Sequence, residues 1–274
     1  MKREQKMGLN NQSVGRIGAI AHNTMREAIR NRAFIALSVS AVAFIVFSMI
    51  LSELAVVGQG SRVILNFGFF AISLFVSVTA IVMGAVLLYK EVDKKTIYTI
   101  LSKPVPRYEF VLGKYLGLMG ILAIELVALS CVWFLVIKTD GGELTHAHLV
   151  GISLILFEAM IVTGLAVMFS AMTNPALTAL FTTGVFAIGR VHYVVQEMLR
   201  AKEGVFVDQP WSRPIGEMVV GVVPDLGVFN VSQQVLLGVD IGSGYLGQGF
   251  AYALGYVAIF LCLAIFALQR RDFV

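Results

Sequence analysis

Charge is scarce in this chain. Only 14% of its 274 residues are Asp, Glu, Lys or Arg and 58% are hydrophobic, against roughly 25% charged in ordinary soluble domains. A deficit of that size excludes a water-soluble globule. Cysteine is scarcer still: Cys131 and Cys262 both lie inside apolar runs, far apart, and read as small core or lipid-facing hydrophobes. The first thirty or so residues are polar and lack a short apolar stretch with a small-residue cleavage site, so no secretory signal is expected.

Signatures of chemistry are missing too. A phosphate-cradling loop needs GxxxxGK followed by Ser or Thr; the nearest match, Gly113-Lys114, is followed by Tyr115 and has Tyr108 where the first glycine belongs. No GxSxG, HExxH or clustered Cys/His pattern occurs. His146 and His148 form an HxH pair near Asp140 and Glu143, a spacing that also suits a solvated loop and is not taken as a metal site. The chain is therefore not expected to be an enzyme or to hold a cofactor or metal.

What the chain has is long apolar runs. Six reach the roughly 20 residues needed to cross a hydrocarbon core: Ala33–Ser52, Val63–Tyr89, Tyr115–Ile137, Leu149–Met172, Ala176–Val195 and Tyr245–Leu268. Barrel strands would alternate over about ten residues, so an all-α membrane protein of six transmembrane helices is expected. The fifth run is interrupted by Arg190 and His192.

With the N-terminus inside, fifteen Lys and Arg flank the spans on the cytoplasmic side and Arg62, Lys138, Arg200, Lys202 and Arg213 on the other. By the positive-inside bias both termini are cytoplasmic. That asymmetry also explains the net charge of +4 without a nucleic-acid partner.

Ahead of the first span, an amphipathic helix is expected to lie in the interface. Val14, Ile17, Ala21, Met25, Ala28 and Ile29 form its apolar face, and Ser13 is its expected N-cap. Gly113, Gly117 and Gly120 line one side of the third span and would let another helix approach closely. Residues 196–244 form a long external segment too broken to span, expected to hold short helices with Trp211 as an interfacial anchor.

Three charges fall within the spans: Glu125, Glu158 and Arg190. Such groups cost a few kcal/mol and seek partners inside the bundle. Glu158 and Arg190 come from neighbouring spans at similar depth and are the expected pair, serving either a transport pathway or helix register. Glu125 has no matched partner, so the neutral acid is the expected form.

Residues 90–114 are the chain's densest polar element outside the N-terminus, and they fall on the cytoplasmic side. Glu91–Leu101 can form a short helix, which Pro104 stops; Arg107–Lys114 can start a second that feeds the third span. This knuckle suits docking to a soluble partner. Its "LSKPVPRYEFVLGKYLG", with "NTMREAIRNR" before the first span, "PDLGVF" before the last and the terminal "RRDF", resembles the type-2 ATP-binding-cassette permeases. The resemblance extends to the branch grouped with copper-enzyme maturation systems.

It implies a single permease domain over residues 1–274, with residues 1–32 cytoplasmic or interfacial, 90–114 a cytoplasmic coupling segment and 196–244 external. It also implies a plasma membrane location, in bacteria the inner membrane, and export driven by a separate ATPase subunit that holds ATP and Mg. A second permease chain, identical or different, would complete the assembly in the lipid bilayer. Carried onto this sequence, the ATPase-coupling contacts are Glu91, Thr96, Leu101, Pro104, Arg107 and Glu109; Lys95 stands where the family often has glycine. Two other readings stay open: a stand-alone secondary transporter using Glu125 or Glu158, and a non-transporting membrane scaffold for an ATPase.

Overall fold

A computed structural model describes residues 2–56, 58–93, 106–201, 206, 209, 211–237, 239 and 241–270. Nearly all of them are helical, and no strand occurs among the described residues. Helices answer the demand of a lipid environment, where backbone N–H and C=O groups must be satisfied within their own segment.

The order is α1 (Lys2–Ile29), α2 (Arg32–Glu53), α3 (Gly60–Asp93), α4 (Arg107–Thr139), α5 (His146–Met172), α6 (Pro175–Arg190), α7 (His192–Arg200), α8 (Arg213–Val222), a 3-10 turn (Gly227–Phe229), α9 (Ser232–Leu236) and α10 (Ser243–Arg270). Local chemistry sets several boundaries. Asn31 is extended between α1 and α2, and its side chain accepts from the Ala33 amide at 2.9 Å. Asn174 caps α6 in the same way at the Leu177 amide, with Pro175 at the first helical position. Gly141, at φ +78°, turns the chain after α4.

Helices α2 to α5 and α10 are each long and apolar enough to cross a membrane. The expected count of six does not appear as six straight helices. Five do so alone, and up to seven segments qualify if each of two bent helix pairs is one span.

The first bent pair lies over the expected span Ala176–Val195 and breaks between Arg190 and His192, the two residues that interrupt that run in the sequence. Helix α6 ends at Arg190, and α7 leaves at 55°. The cause is tertiary: the Gly189 carbonyl accepts the Leu226 amide at 2.9 Å, leaving the next turn of helix without that acceptor. A Cβ on Gly189 would lie 2.8 Å from the Pro224 carbonyl oxygen. Gly189→Val is therefore expected to push residues 224–226 away at a cost of about 1–3 kcal/mol, read as a lowered unfolding temperature in detergent.

The second pair lies in the external segment, which holds short helices as expected; α8 and residues 227–236, bent by 49°, together have the length and composition of either a broken span or a re-entrant loop. Trp211 is exposed. Ser13 is also not an N-cap, because α1 begins eleven residues earlier, at Lys2.

Side-chain registers give the helix directions. The α3 and α5 helices run parallel, since Gly151 packs on Phe69 and Gly84 on Ala166. The α5 and α10 helices are parallel as well, with Gly249 near Leu154 and Gly164 near Phe260. Helix α4 runs against α3: Trp133 donates to the Ile64 carbonyl at one end and Glu125 meets Thr79 further along. One core gathers around Trp133 from α3, α4 and α5, and a second joins α1, α4 and α10. Cys131 and Cys262 are both exposed on the bundle's flanks.

Candidate functional site

Of the expected ATPase-coupling residues, Glu91, Arg107 and Glu109 are described. Glu91 lies in the last turn of α3; Thr96, Leu101 and Pro104 lie outside the described residues. Arg107 and Glu109 open α4 just after Pro106.

Both are engaged with neighbouring helices. The Arg107 guanidinium donates to the Leu268 carbonyl in the last turn of α10, a place where helix carbonyls lack partners and a cation is favoured. Glu109 is fully buried, although a loop carboxylate of its kind is usually wet. Arg16 of α1 grips it with two bonds, Nε to Oε2 at 2.6 Å and Nη2 to Oε1 at 2.8 Å. Such bidentate pairs add geometric specificity to charge. Tyr108 donates to the same carboxylate at 3.2 Å, and Arg16 also donates to Ser13 at 3.2 Å.

The glycine stripe of α4 is the seat for α1. A Cβ on Gly113 would fall 2.7 Å from Ile20 Cβ, and one on Gly117 2.6 Å from the Ala21 carbonyl oxygen. Only glycine admits this backbone approach. Ile17, Ile20, Ala21, Thr24 and Met25 meet α4, while Val14 and Ile29, expected on the apolar face, are exposed. The contacts 16–109, 20–113 and 25–120 advance together, so α1 runs alongside α4 in the same direction. Lys114 is buried in this seat, 4.0 Å from Glu27 and over the Phe110 ring. The stripe was visible in the sequence, but its occupant was not, and nothing in the spacing marked Arg16 as the partner of Glu109.

Deeper in the bundle the three charges fall at two places. Arg190 at the end of α6 pairs with Glu158 of α5, Nε to Oε1 at 2.6 Å and Nη2 to Oε2 at 2.8 Å. Ser73 of α3 accepts from Arg190 and donates to Glu158 at 3.2 Å. Glu125 of α4 stands apart. Thr79 of α3 and Ser38 of α2 donate to its Oε1 at 3.0 and 3.2 Å, and its Oε2 finds no hydrogen bond among the described residues. One carboxyl therefore ties three helices together.

The other polar motifs have local roles. His148 lends Nδ1 to the Thr145 amide and hydroxyl at the start of α5, and its ring lies 5.6 Å from that of Trp133. Among the described residues no cluster of three His, Cys, Asp or Glu could hold a metal. The "PDLGVF" stretch is pinned through Asp225, whose amide donates to the Tyr252 hydroxyl at 2.8 Å and whose Oδ1 accepts from the Gly227 amide at 2.9 Å. His192 adds a contact, with Nδ1 3.5 Å from Asp225 Oδ2.

Residues 18–273 match the family model described as "ABC-2 family transporter protein". No curated protein matches the chain.

Proposed function

Because the chain belongs to the ABC-2 transporter family, we propose that it is the permease subunit of an exporter driven by ATP hydrolysis in a separate ATPase subunit. The observation that carries this reading is the family match over residues 18–273, joined to the convergence of α1 and α10 on the root of α4. In it, two permease chains form the pathway in a plasma membrane, with both termini and residues 90–114 in the cytoplasm. ATP and Mg belong to the partner. Assignment to the branch grouped with copper-enzyme maturation permeases is part of the same proposal and rests on sequence resemblance alone.

Six crossings are part of it too, within one domain. Helices α5 and α10 are parallel, so the chain between them makes a net odd number of crossings. The bent pair α6–α7 carries the charged pair Arg190–Glu158 into the bundle, which favours it as the fifth.

Coupling would pass from the ATPase through the 94–106 connection into α4. Glu109, buried beneath α1, then acts within this chain, while Arg107, exposed at the head of α4 and tied to α10, acts both within the chain and at its surface. A push on the root of α4 moves three helices as one body. The variant Arg107→Glu is expected to weaken capture of the ATPase, or the stimulation of its turnover by the permease, roughly ten-fold. Co-purification and ATP turnover in reconstituted vesicles read both. Unchanged capture and unchanged coupling would count against residues 90–114 as the contact.

A further inference from the structure

Where α1 hands over to α2, the protein carries an open polar cleft that none of the coupling contacts uses. Its lining is Asn23, Arg26, Glu27 and Arg30 from α1, the linking Asn31, and Arg32 at the head of α2. Residues 23, 26, 27 and 30 share one helix face because they are spaced by three and four. The charge in the cleft is one-sided. Among the described residues of the lining Glu27 is the one carboxylate, with the buried Lys114 at 4.0 Å behind it, so the guanidinium groups of Arg26, Arg30 and Arg32 outnumber it three to one there. Guanidinium groups in a cluster, with asparagine amides beside them, suit the oxygens of a phosphate.

The position decides between kinds of phosphate. Directly after Arg32 begins an apolar helix whose outer face is open: Ile35 is 50% and Val39 63% exposed. The cleft therefore stands at headgroup height above a surface fit for acyl chains. We propose that it binds the phosphate headgroup of an anionic phospholipid in the leaflet that carries α1, with the lipid tails along α2. The bound lipid holds the α1–α2 corner, and with it the helix that clamps Glu109. This site does not depend on the chain being a transporter.

The test uses the full chain purified in detergent, with lipid retention measured by native mass spectrometry. Phosphatidylglycerol should be retained at least about ten-fold better than phosphatidylcholine, and the triple variant Arg26→Gln, Arg30→Gln, Arg32→Gln should lose that preference. A control triple, Arg62→Gln, Arg200→Gln, Arg213→Gln, removes equal charge elsewhere and should keep it. Equal retention of the two lipids, or equal loss in both triple variants, overturns the proposal. So does inorganic phosphate that binds the cleft while phosphatidylglycerol does not, since the site then takes a soluble anion. If the first triple variant does not fold, the wild-type preference and its reduction in the single variant Arg30→Gln decide the same question.

Discussion

The variant Glu158→Gln is expected to lower the stability of the folded bundle by about 3 kcal/mol, more than Arg190→Gln. The asymmetry comes from what each variant leaves behind. Without Glu158, the Arg190 guanidinium keeps its charge, because it cannot shed a proton under any ordinary condition. Only neutral groups then face it: the Ser73 hydroxyl, the new amide oxygen and the Phe186 ring. Without Arg190, the Glu158 carboxyl can take up a proton and become neutral, with Ser73 still in reach at 3.2 Å.

Thermal unfolding in one detergent, compared across the two variants, checks the order. A third variant separates a structural from a pathway role. Replacing both residues by Leu removes the desolvation cost with the pair, and such replacements are often neutral or stabilising. A stable double variant that no longer transports marks the pair as part of the pathway; one that is stable and active marks it as a register device.

The variant Gly117→Leu is expected to detach α1 from α4. The Cβ alone would lie 2.6 Å from the Ala21 carbonyl oxygen and 2.6 Å from Thr24 Cβ. The first of these is backbone and cannot rotate away, so one helix must shift. Overpacking of this kind costs about 1–3 kcal/mol, and the shift also pulls Arg16 from a fully buried Glu109. Losing the partner of a buried charge adds several kcal/mol more.

Limited proteolysis should then cut within α1, at Arg16 or Arg26, well before the rest of the bundle opens. Arg16→Gln should give the same early cleavage without any steric change. If both variants keep α1 protected, the Arg16–Glu109 pair is not what holds it down.

Much of the architecture is legible in the residues alone. Runs such as Leu149–Met172 are read directly, because a membrane-crossing helix needs about twenty predominantly apolar residues, and the structure places α5 over His146–Met172. Other features are half legible. The depth of Glu158 and Arg190 can be counted at 1.5 Å per residue along each helix, and the two side chains do meet. In the fifth run Arg190 and His192 mark an interruption, but the 55° bend there comes with a partner the run does not show, the distant Leu226 amide on the carbonyl of Gly189. The coupling residues are the least legible. A carboxylate in a charged loop reads as a wet surface group, yet Glu109 is buried by a helix ninety-three residues earlier in the chain.

Hydropathy by itself determined that this protein is a helical membrane bundle with a polar stretch near its middle, because transfer into lipid is decided residue by residue. The tertiary structure alone decided that α1 stands in the glycine groove of α4, that Arg107 and Glu109 serve α10 and α1, that α6 stops at Arg190, and that three arginines close on one cleft. Each of these depends on which backbone comes within hydrogen-bonding reach of which side chain, a relation between segments that composition and spacing do not contain.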